Sequence, residues 1–320
     1  MEATQSLAVL RPLLRSDEAA LEQVFSSRCF DVDRFYSFLV WNHLAGTFYW
    51  ISQATCIGRA SPRELVERCK LAYFQQWGKN QMQLRSASHL RRAFAEQSVA
   101  ILFLKGIFPA QRFYGSIDAR ASSDLDLLVR KSDVGRAEDI LRTAGFTRRS
   151  RILWSRNTTI RFTHHFEYFR DSIDLELHWS VAQHPAFHLN YTDLWSGGQE
   201  LALGAERFKV LSDEYAIVTH ALGTFKDIEL GTCTLKPFVD LFRMLQKADS
   251  DLDWEEFFER RKREGIFRIM ASILAMTLVL FECDSAFPNL SECLRRRGEH
   301  RRIQSARHVL ALVSGKRKYA

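Results

Sequence analysis

The residues best suited to chemistry in this sequence are acidic and occupy alternate positions in two short apolar segments. Asp124 and Asp126 belong to the segment "DLDLLV", and Asp174 and Glu176 belong to the segment "IDLELHW". Because side chains alternate across a strand, each acidic pair would project from one face and the apolar side chains from the other. Carboxylates this close raise each other's pKa unless cations compensate, so the pattern favours a metal site over a purely structural role.

Carboxylate oxygens are hard ligands that suit Mg²⁺, which keeps some of its waters and shares its coordination with substrate phosphates. If the two segments form neighbouring strands, Asp124, Asp126 and either Asp174 or Glu176 converge on one site. Two Mg²⁺ ions held there, or Mn²⁺ in their place, would clamp the attacking and leaving oxygens of a phosphoryl or nucleotidyl transfer. His178 shares the acidic face and is a candidate to orient a carboxylate or to carry a proton.

Three further residues have the chemistry to bind phosphate groups. Lys105 and Gly106 follow the apolar run "VAILFL". A lysine supplies a point charge there, and a glycine lets phosphates approach the backbone closely. Arg120 precedes the acidic pair and is expected to reach a triphosphate or to balance the carboxylates. Taken singly, the three have simpler interpretations as an exposed lysine, a plain turn and a surface ion pair.

Other metal-binding and nucleotide-binding motifs do not occur in the sequence. It contains no P-loop, no G-x-S-x-G and no G-x-G-x-x-G motif. Histidines are dense from His164 to His188, but they form no H-E-x-x-H motif. His164 and His165, as adjacent strand residues, would point to opposite faces. A zinc site is therefore not expected.

The candidate residues lie in the part of the chain that shows strand patterns, residues 97–182. The segments "VAILFL" and "DLDLLV" predict strands, and a helix that stops at Gly145 follows them. The segments "IRFTHHFEYF" and "IDLELHWSV" are separated by three turn-forming residues and predict a hairpin. The middle of the chain is therefore expected to be a small mixed sheet with at least one helix.

The segments on either side of this core have the apolar spacing of helices. In residues 1–96 one helix begins at Ser61-Pro62 and is expected to end before Gly78. From about residue 190 onward only helices are expected. The fold class is thus α+β, with an N-terminal helical region at 1–96, a core at 97–182 and a C-terminal helical domain at 183–320.

Composition narrows the environment and the partners. The net charge of +7 and the pI near 9.2 favour an anionic partner. The longest apolar run, residues 269–281, falls short of a membrane span, and the N-terminus shows no signal peptide, so a cytoplasmic protein without membrane contact is expected. A nucleic-acid surface is not favoured, because basic runs usually form solvated helix faces. The basic clusters are Arg148, Arg149 and Arg151; Arg260 to Arg263; Arg295 to Arg297 with Arg301 and Arg302; and Lys316 to Lys318.

Together these motifs resemble the uncharacterised nucleotidyltransferase family of the DNA polymerase β superfamily. The resemblance rests on "LKG", Tyr114, Arg120, "DLDLLV", the helix ending and the later "LHW", and it covers chiefly residues 97–182. Weaker similarity extends to "HALGTFKD" and "FVDLFRML". It implies a polymerase β-like fold in which Asp124 and Asp126 are the first two of three metal-binding carboxylates. The third position falls on Glu176, where the family usually has aspartate, and Asp174 is the alternative.

The resemblance implies Mg²⁺-dependent transfer of a nucleoside monophosphate from an NTP, with ATP as the expected donor, and release of pyrophosphate. Lys105-Gly106 replaces the usual Gly-Ser phosphate turn of the superfamily, as it does in the family itself. A small molecule, a peptide or protein and RNA all stay open as the acceptor. The alternative function is a catalytically degenerate module that binds nucleotides or another protein.

Overall fold

The chain forms two compact units, one helical and one built on a sheet. The computed structural model describes residues 3–54, 57–149, 158, 160, 163–182, 184 and 186–299. The helical unit comprises Met1–Gln76, Asp118–Ala121 and His220–Ala320, and the sheet unit comprises Trp77–Ile117 and Ser122–Thr219. The predicted α+β class, with helical segments before and after a mixed sheet in the chain, is confirmed.

A seven-stranded mixed sheet is the frame of the sheet unit. Its strands are β1 (Ile101–Phe103), β2 (Asp124–Val129), β3 (Thr147–Arg148), β4 (His165–Arg170), β5 (Ile173–His178), β6 (Gln199–Leu203) and β7 (Glu206–Val210). Their order across the sheet is β3-β4-β5-β2-β1-β7-β6. The pairs β2/β5 and β1/β7 are parallel, and the other neighbours are antiparallel.

Helices make up most of the rest of the described chain. In chain order they are α1 (Ala3–Arg15), α2 (Glu18–Phe25), α3 (Val32–Trp41), α4 (Ala45–Ala54), α5 (Ile57–Ala60), α6 (Arg63–Glu96), α7 (Ile107–Pro109), α8 (Val134–Thr143), α9 (Tyr191–Ser196), α10 (Asp213–Glu229), α11 (Lys236–Ala248), α12 (Trp254–Arg263), α13 (Phe267–Phe281) and α14 (Pro288–Arg296). Among the described helices, α13 included, none has the length and apolar character needed to span a membrane.

One face of the sheet packs into the core of the sheet unit. Leu125, Leu127 and Val129 of β2 are buried in this core together with alternate residues of β5, as the alternating pattern predicts. Apolar side chains of α6 and α8 pack in the same cluster. The acidic residues of β2 and β5 therefore lie on the opposite face.

Two predictions about the flanking elements are wrong. Helix α6 does not end before Gly78 but continues to Glu96. A Cβ added at Gly78 would meet no atom within 4 Å, so this glycine occupies an open helix position, where it costs about 1 kcal/mol. After residue 190 the chain also forms β6 and β7, a hairpin that turns at Gly204 with φ of +60°.

Candidate active site

The candidate site is built by the parallel pairing of β2 with β5. Asp124 lies opposite Asp174, and Asp126 lies opposite Glu176, so the four acidic residues share one face of two adjacent strands. Neighbouring strands are about 4.8 Å apart, which lets carboxylates from both strands contact one cation. Parallel strands need a crossover connection, and α8 forms part of the one that joins β2 to β5.

Asp126 is the most buried acidic residue of the site, with 0% of its surface exposed. Its Oδ1 accepts a 2.9 Å hydrogen bond from Nε2 of His178 and lies 3.5 Å from Nζ of Lys105. Its other oxygen, Oδ2, has no hydrogen-bond partner among the described residues. A buried carboxylate oxygen without a partner is costly, so a cation beside Oδ2 would be strongly stabilising.

The charges around Asp126 determine which groups are ionised. Burial alone raises the pKa of Asp126, but Lys105 and His178 outweigh burial and hold that pKa below its ordinary range. Burial, together with the charge of Asp126, raises the pKa of Asp124, whose carboxylate accepts a 2.8 Å hydrogen bond from Ser123. The carboxylate of Asp126 raises the pKa of Lys105. Lys105 is therefore a cation and Asp126 an anion at neutral pH.

His178 joins the acidic residues of the two strands. Its Nε2 lies 2.9 Å from Oδ1 of Asp126 and 2.9 Å from Oε2 of Glu176. Burial lowers the pKa of His178, but hydrogen bonds to these two carboxylates outweigh burial and raise the pKa above its ordinary value. Burial by itself would raise the pKa of Glu176, but the hydrogen bond from His178 outweighs burial and lowers this pKa below its ordinary value. The imidazole thus holds both carboxylates in their charged forms.

Asp174, the alternative third carboxylate, has different surroundings. Its side chain is 53% exposed and accepts a hydrogen bond from Arg149. Glu176 is 27% exposed, and one of its oxygens lies within 4.8 Å of ligand atoms of both Asp126 and His178. Glu176 therefore belongs to the buried cluster, whereas Asp174 forms a surface ion pair.

Lys105 and Gly106 follow β1 and lie beside the amino end of β2, because β1 and β2 are antiparallel. Gly106 has a φ of +76°, and a Cβ there would lie 3.0 Å from the carbonyl oxygen of Asp124 and 3.0 Å from Oγ of Ser122. Both the backbone conformation and the close contacts require glycine. The turn that the sequence predicts to bind phosphates thus packs directly against the acidic strand.

Arg120 has a buried partner within the helical unit. Its guanidinium donates to both carboxylate oxygens of Asp240, at 2.9 Å and 2.7 Å. The same carboxylate lies 3.6 Å from Nζ of Lys236 and 3.8 Å from Nε2 of His220. The interpretation of Arg120 as a surface ion pair is wrong, because both residues of the pair are almost fully buried.

The sequence interpretation missed a histidine cluster beside the carboxylates. His164 lies in a bend before β4, so strand alternation does not separate it from His165. Nε2 of His164 lies 3.0 Å from Nδ1 of His165, and nitrogen atoms of His164, His165 and His178 lie within 4.8 Å of one another. The only sequence signal was the density of histidines in this segment.

The basic clusters are largely neutralised by local ion pairs. Arg260 and Arg263 bind Glu256 at 3.0 Å and 3.1 Å, and Arg297 lies 2.8 Å from Glu259. Every other described cluster member also has a carboxylate within ion-pair distance. The cluster members outside the described residues are Arg151, Arg301, Arg302 and Lys316 to Lys318. The described clusters therefore do not present a continuous unpaired basic surface.

Comparison with known protein families identifies the family to which this chain belongs. A family model described as "Uncharacterised nucleotidyltransferase" matches residues 28–282, which extends well beyond the core predicted at 97–182. Among curated proteins, none gives a significant match. The chain belongs to the uncharacterised nucleotidyltransferase family, a name that indicates transfer of a nucleoside monophosphate.

Proposed function

We propose that this protein is a Mg²⁺-dependent nucleotidyltransferase that transfers a nucleoside monophosphate from ATP to an acceptor and releases pyrophosphate. The observation that carries the proposal is the register of β2 and β5, which pairs Asp126 with Glu176 and leaves Asp124 on the same face. Three carboxylates in such an arrangement offer the hard oxygen ligands that Mg²⁺ prefers.

The residues at this site fit a divalent cation. Asp124, Asp126 and Glu176 would hold it, and Oδ2 of Asp126, which is buried and has no hydrogen-bond partner in the described part of the chain, supports a cation there. When bound, two Mg²⁺ or Mn²⁺ ions supply charge stabilisation to the attacking and leaving oxygens. Asp174 is left out of this set, because its carboxylate is paired with Arg149.

The other residues of the site bind and orient. Lys105 is 39% exposed, so its ammonium can contact a phosphate of the nucleotide while it stays near Asp126. Gly106 is itself buried and packs against Asp124 and Ser122, so its role is to allow the sharp turn that places Lys105 beside the carboxylates. His178 positions Asp126 and Glu176 through its hydrogen bonds. Arg120 is assigned no role in nucleotide binding, because its guanidinium forms a buried ion pair with Asp240.

In the proposed reaction an oxygen of the acceptor, from a hydroxyl or a phosphate, forms a bond to the α-phosphorus of ATP. The bond between that phosphorus and the oxygen bridging to the β-phosphate breaks in line, and pyrophosphate leaves with the electron pair. If the nucleophile is a hydroxyl, its proton passes to a carboxylate of the site or to solvent. The local pairing of the basic clusters favours a small-molecule acceptor over nucleic acid.

Calorimetric titration of Asp126→Asn and Asp174→Asn with ATP, with and without Mg²⁺, tests the proposal. Asp126→Asn should lose Mg²⁺-dependent ATP binding by at least about tenfold, since one ligand of the ion is gone. Asp174→Asn, the matched control on the same face, should bind within about twofold of the wild type. Unchanged metal-dependent binding by Asp126→Asn would refute the metal assignment.

A second function, nucleotide binding without turnover, is favoured by one observation. Asp126 is closed to solvent and already paired with Lys105 and His178, which is also how an inactive site would be stabilised. Mass analysis for pyrophosphate, with candidate acceptors present, separates the two functions. Mg²⁺-dependent ATP binding without pyrophosphate release would favour the binding module.

A further inference from the structure

A large cavity lies at the carboxyl ends of β2 and β5, within the sheet unit. Its volume is about 1380 Å³, above the range of roughly 300–1,000 Å³ typical of small-molecule sites. Val129, Arg130 and Lys131 line it where β2 ends, and Trp179 and Ser180 line it where β5 ends. Gly106 packs against Asp124 at the opposite, amino end of β2, so the cavity is separate from the proposed phosphate turn.

The permanently charged residues that line the cavity in the described part of the chain are all basic. Arg130, Lys131 and Lys209 line it, and none of the three forms an ion pair with a described residue. No aspartate or glutamate is among the described residues that line the cavity. By contrast, the described basic clusters of the chain are neutralised by nearby carboxylates. Unpaired cations without acidic neighbours favour an anionic ligand.

Aromatic side chains supply the rest of the recognition chemistry. Trp179 and Trp195 line the cavity and are 6% and 7% exposed, so both rings are fixed by packing. The guanidinium of Arg130 lies 4.8 Å from the centre of a Trp195 ring. The indole of Trp179 donates to the carbonyl oxygens of Ile160 and Thr163 at 3.2 Å and 3.1 Å. A rigid aromatic wall beside cations suits a planar ring that carries a negative group.

The cavity adjoins the carboxylates. His164 lines it, and the ring of His164 lies 5.9 Å from the ring of His178, which binds Asp126. Arg130 lies on the same face of the sheet as Asp124 and Asp126, because the backbone is still extended at Arg130 and side chains alternate along an extended chain. Arg130 lies four positions beyond Asp126 along the extended chain, a distance of roughly 13 Å. A small molecule anchored at Arg130 can therefore reach the carboxylates.

Lys209 faces the same side of the sheet. The side chains of Leu102 and Lys209 both lie next to Gly198. A Cβ added at Gly198 would be 3.0 Å from a methyl group of Leu102 and 3.3 Å from Cε of Lys209. Leu102 pairs with Leu128, which lies two residues beyond Asp126 on β2 and therefore on its face. Arg130 and Lys209 thus both belong to the carboxylate face.

We infer that this cavity binds the acceptor, and that the acceptor is a small molecule with a phosphate or comparable anionic group and a planar ring. Only the identification of this ligand as the acceptor rests on the proposed nucleotidyl transfer. Binding of such a molecule follows from the cavity itself, whether or not the site turns over.

Tryptophan fluorescence of the full chain in EDTA tests this inference, with AMP, phenyl phosphate and inorganic phosphate as probes. AMP and phenyl phosphate should change the emission in a saturable way, and inorganic phosphate should bind more weakly because it lacks the ring. Arg130→Gln and Lys209→Gln should each weaken binding at least tenfold. Arg207→Gln, an exposed cation on the same strand as Lys209 but outside the cavity, should change it less than twofold.

Three outcomes would overturn the inference. One is a lack of saturable binding by both ring-bearing probes, and another is equal weakening by Arg207→Gln, which would indicate unspecific charge attraction. The third is competitive displacement of AMP by Mg-ATP in a separate titration with Mg²⁺ in place of EDTA, which would assign the cavity to the donor nucleotide. Since EDTA removes the metal, failure here leaves the nucleotidyltransferase proposal intact. Conversely, Asp126→Asn should bind the probes like the wild type even if it loses Mg-ATP.

Discussion

Asp126 and His178 lie on neighbouring parallel strands and share a 2.9 Å hydrogen bond at a position closed to solvent. The same imidazole nitrogen lies 2.9 Å from Glu176, so one side chain fixes two of the proposed metal ligands. Groups that orient metal ligands in this way typically contribute a factor of about 10 to 100 in metal affinity.

His178→Gln should therefore lower the affinity for Mn²⁺ by about 10- to 100-fold, measured by electron paramagnetic resonance of the free ion. His188→Gln, an exposed histidine of the same segment, is the control and should leave the affinity unchanged. An equal affinity in the two variants would contradict the positioning role of His178.

Gly106→Ala should weaken ATP binding and lower the free energy of unfolding. An alanine there must adopt a φ of +76° and also displace the backbone of Asp124 or the side chain of Ser122. Gly115→Ala is the control, because Gly115 has a similar φ of +82° but an ordinary left-handed ψ of 1°, against −129° at Gly106, and has no atom within 4 Å of an added Cβ. The control should lose about 1–3 kcal/mol from strain alone. Chemical denaturation should show a larger loss for Gly106→Ala, and equal losses would rule out the contact.

Asp240→Asn should destabilise the protein by about 3–5 kcal/mol, because it leaves the buried charge of Arg120 without its partner. The pair Arg142 and Asp139 has a similar separation of 2.7 Å, but its side chains are 78% and 62% exposed. Asp139→Asn should therefore cost less than about 1 kcal/mol. Denaturant unfolding of both variants measures the difference, and similar losses would mean that burial does not strengthen the Arg120 pair.

The stability of the protein should fall between pH 6.5 and about pH 4 because of His220. Burial lowers the pKa of His220 to about 4. The carboxylate of Asp240 raises this pKa, but the positive charges of Arg120 and Lys236 lower it again. In this interval the unfolded chain binds the proton that the folded chain excludes, so the free energy of unfolding decreases as the pH falls. The full effect is at most about 3 kcal/mol.

His220→Gln isolates this contribution, since glutamine does not titrate. Urea unfolding of both proteins from pH 7 to pH 4 should give a steeper loss for the wild type. Parallel curves would show that His220 titrates alike in the folded and unfolded states. The lowered pKa of Asp240 acts at lower pH, because a carboxylate loses its contribution only below its unfolded pKa near 4.

The sequence predicted β2 and the hairpin of β4 and β5 well, because alternation is a local signal that a buried sheet face preserves. It did not predict that β2 and β5 are parallel neighbours, because strand pairing is set by packing across the sheet. The hairpin of β6 and β7 was missed because a strong helical pattern surrounds it.

The surroundings of single charged residues were the least predictable. Asp240 lies in a helical segment where no motif distinguishes it from a solvated residue, yet it is buried against Arg120. The two residues are far apart in sequence, so no spacing rule connects them. His164 was misplaced for a related reason, since the alternation rule fails one residue before β4 begins.

The parallel arrangement of β2 and β5 has a consequence for how such a site can vary. The chain between the end of β2 at Val129 and the start of β5 at Ile173 connects the two carboxylate strands, so insertions in the loops of that connection leave the spacing of Asp126 and Glu176 intact. Slippage of β5 by one residue would instead turn its leucines toward the acidic face. The chemistry is thus tolerant of loop length and intolerant of strand register.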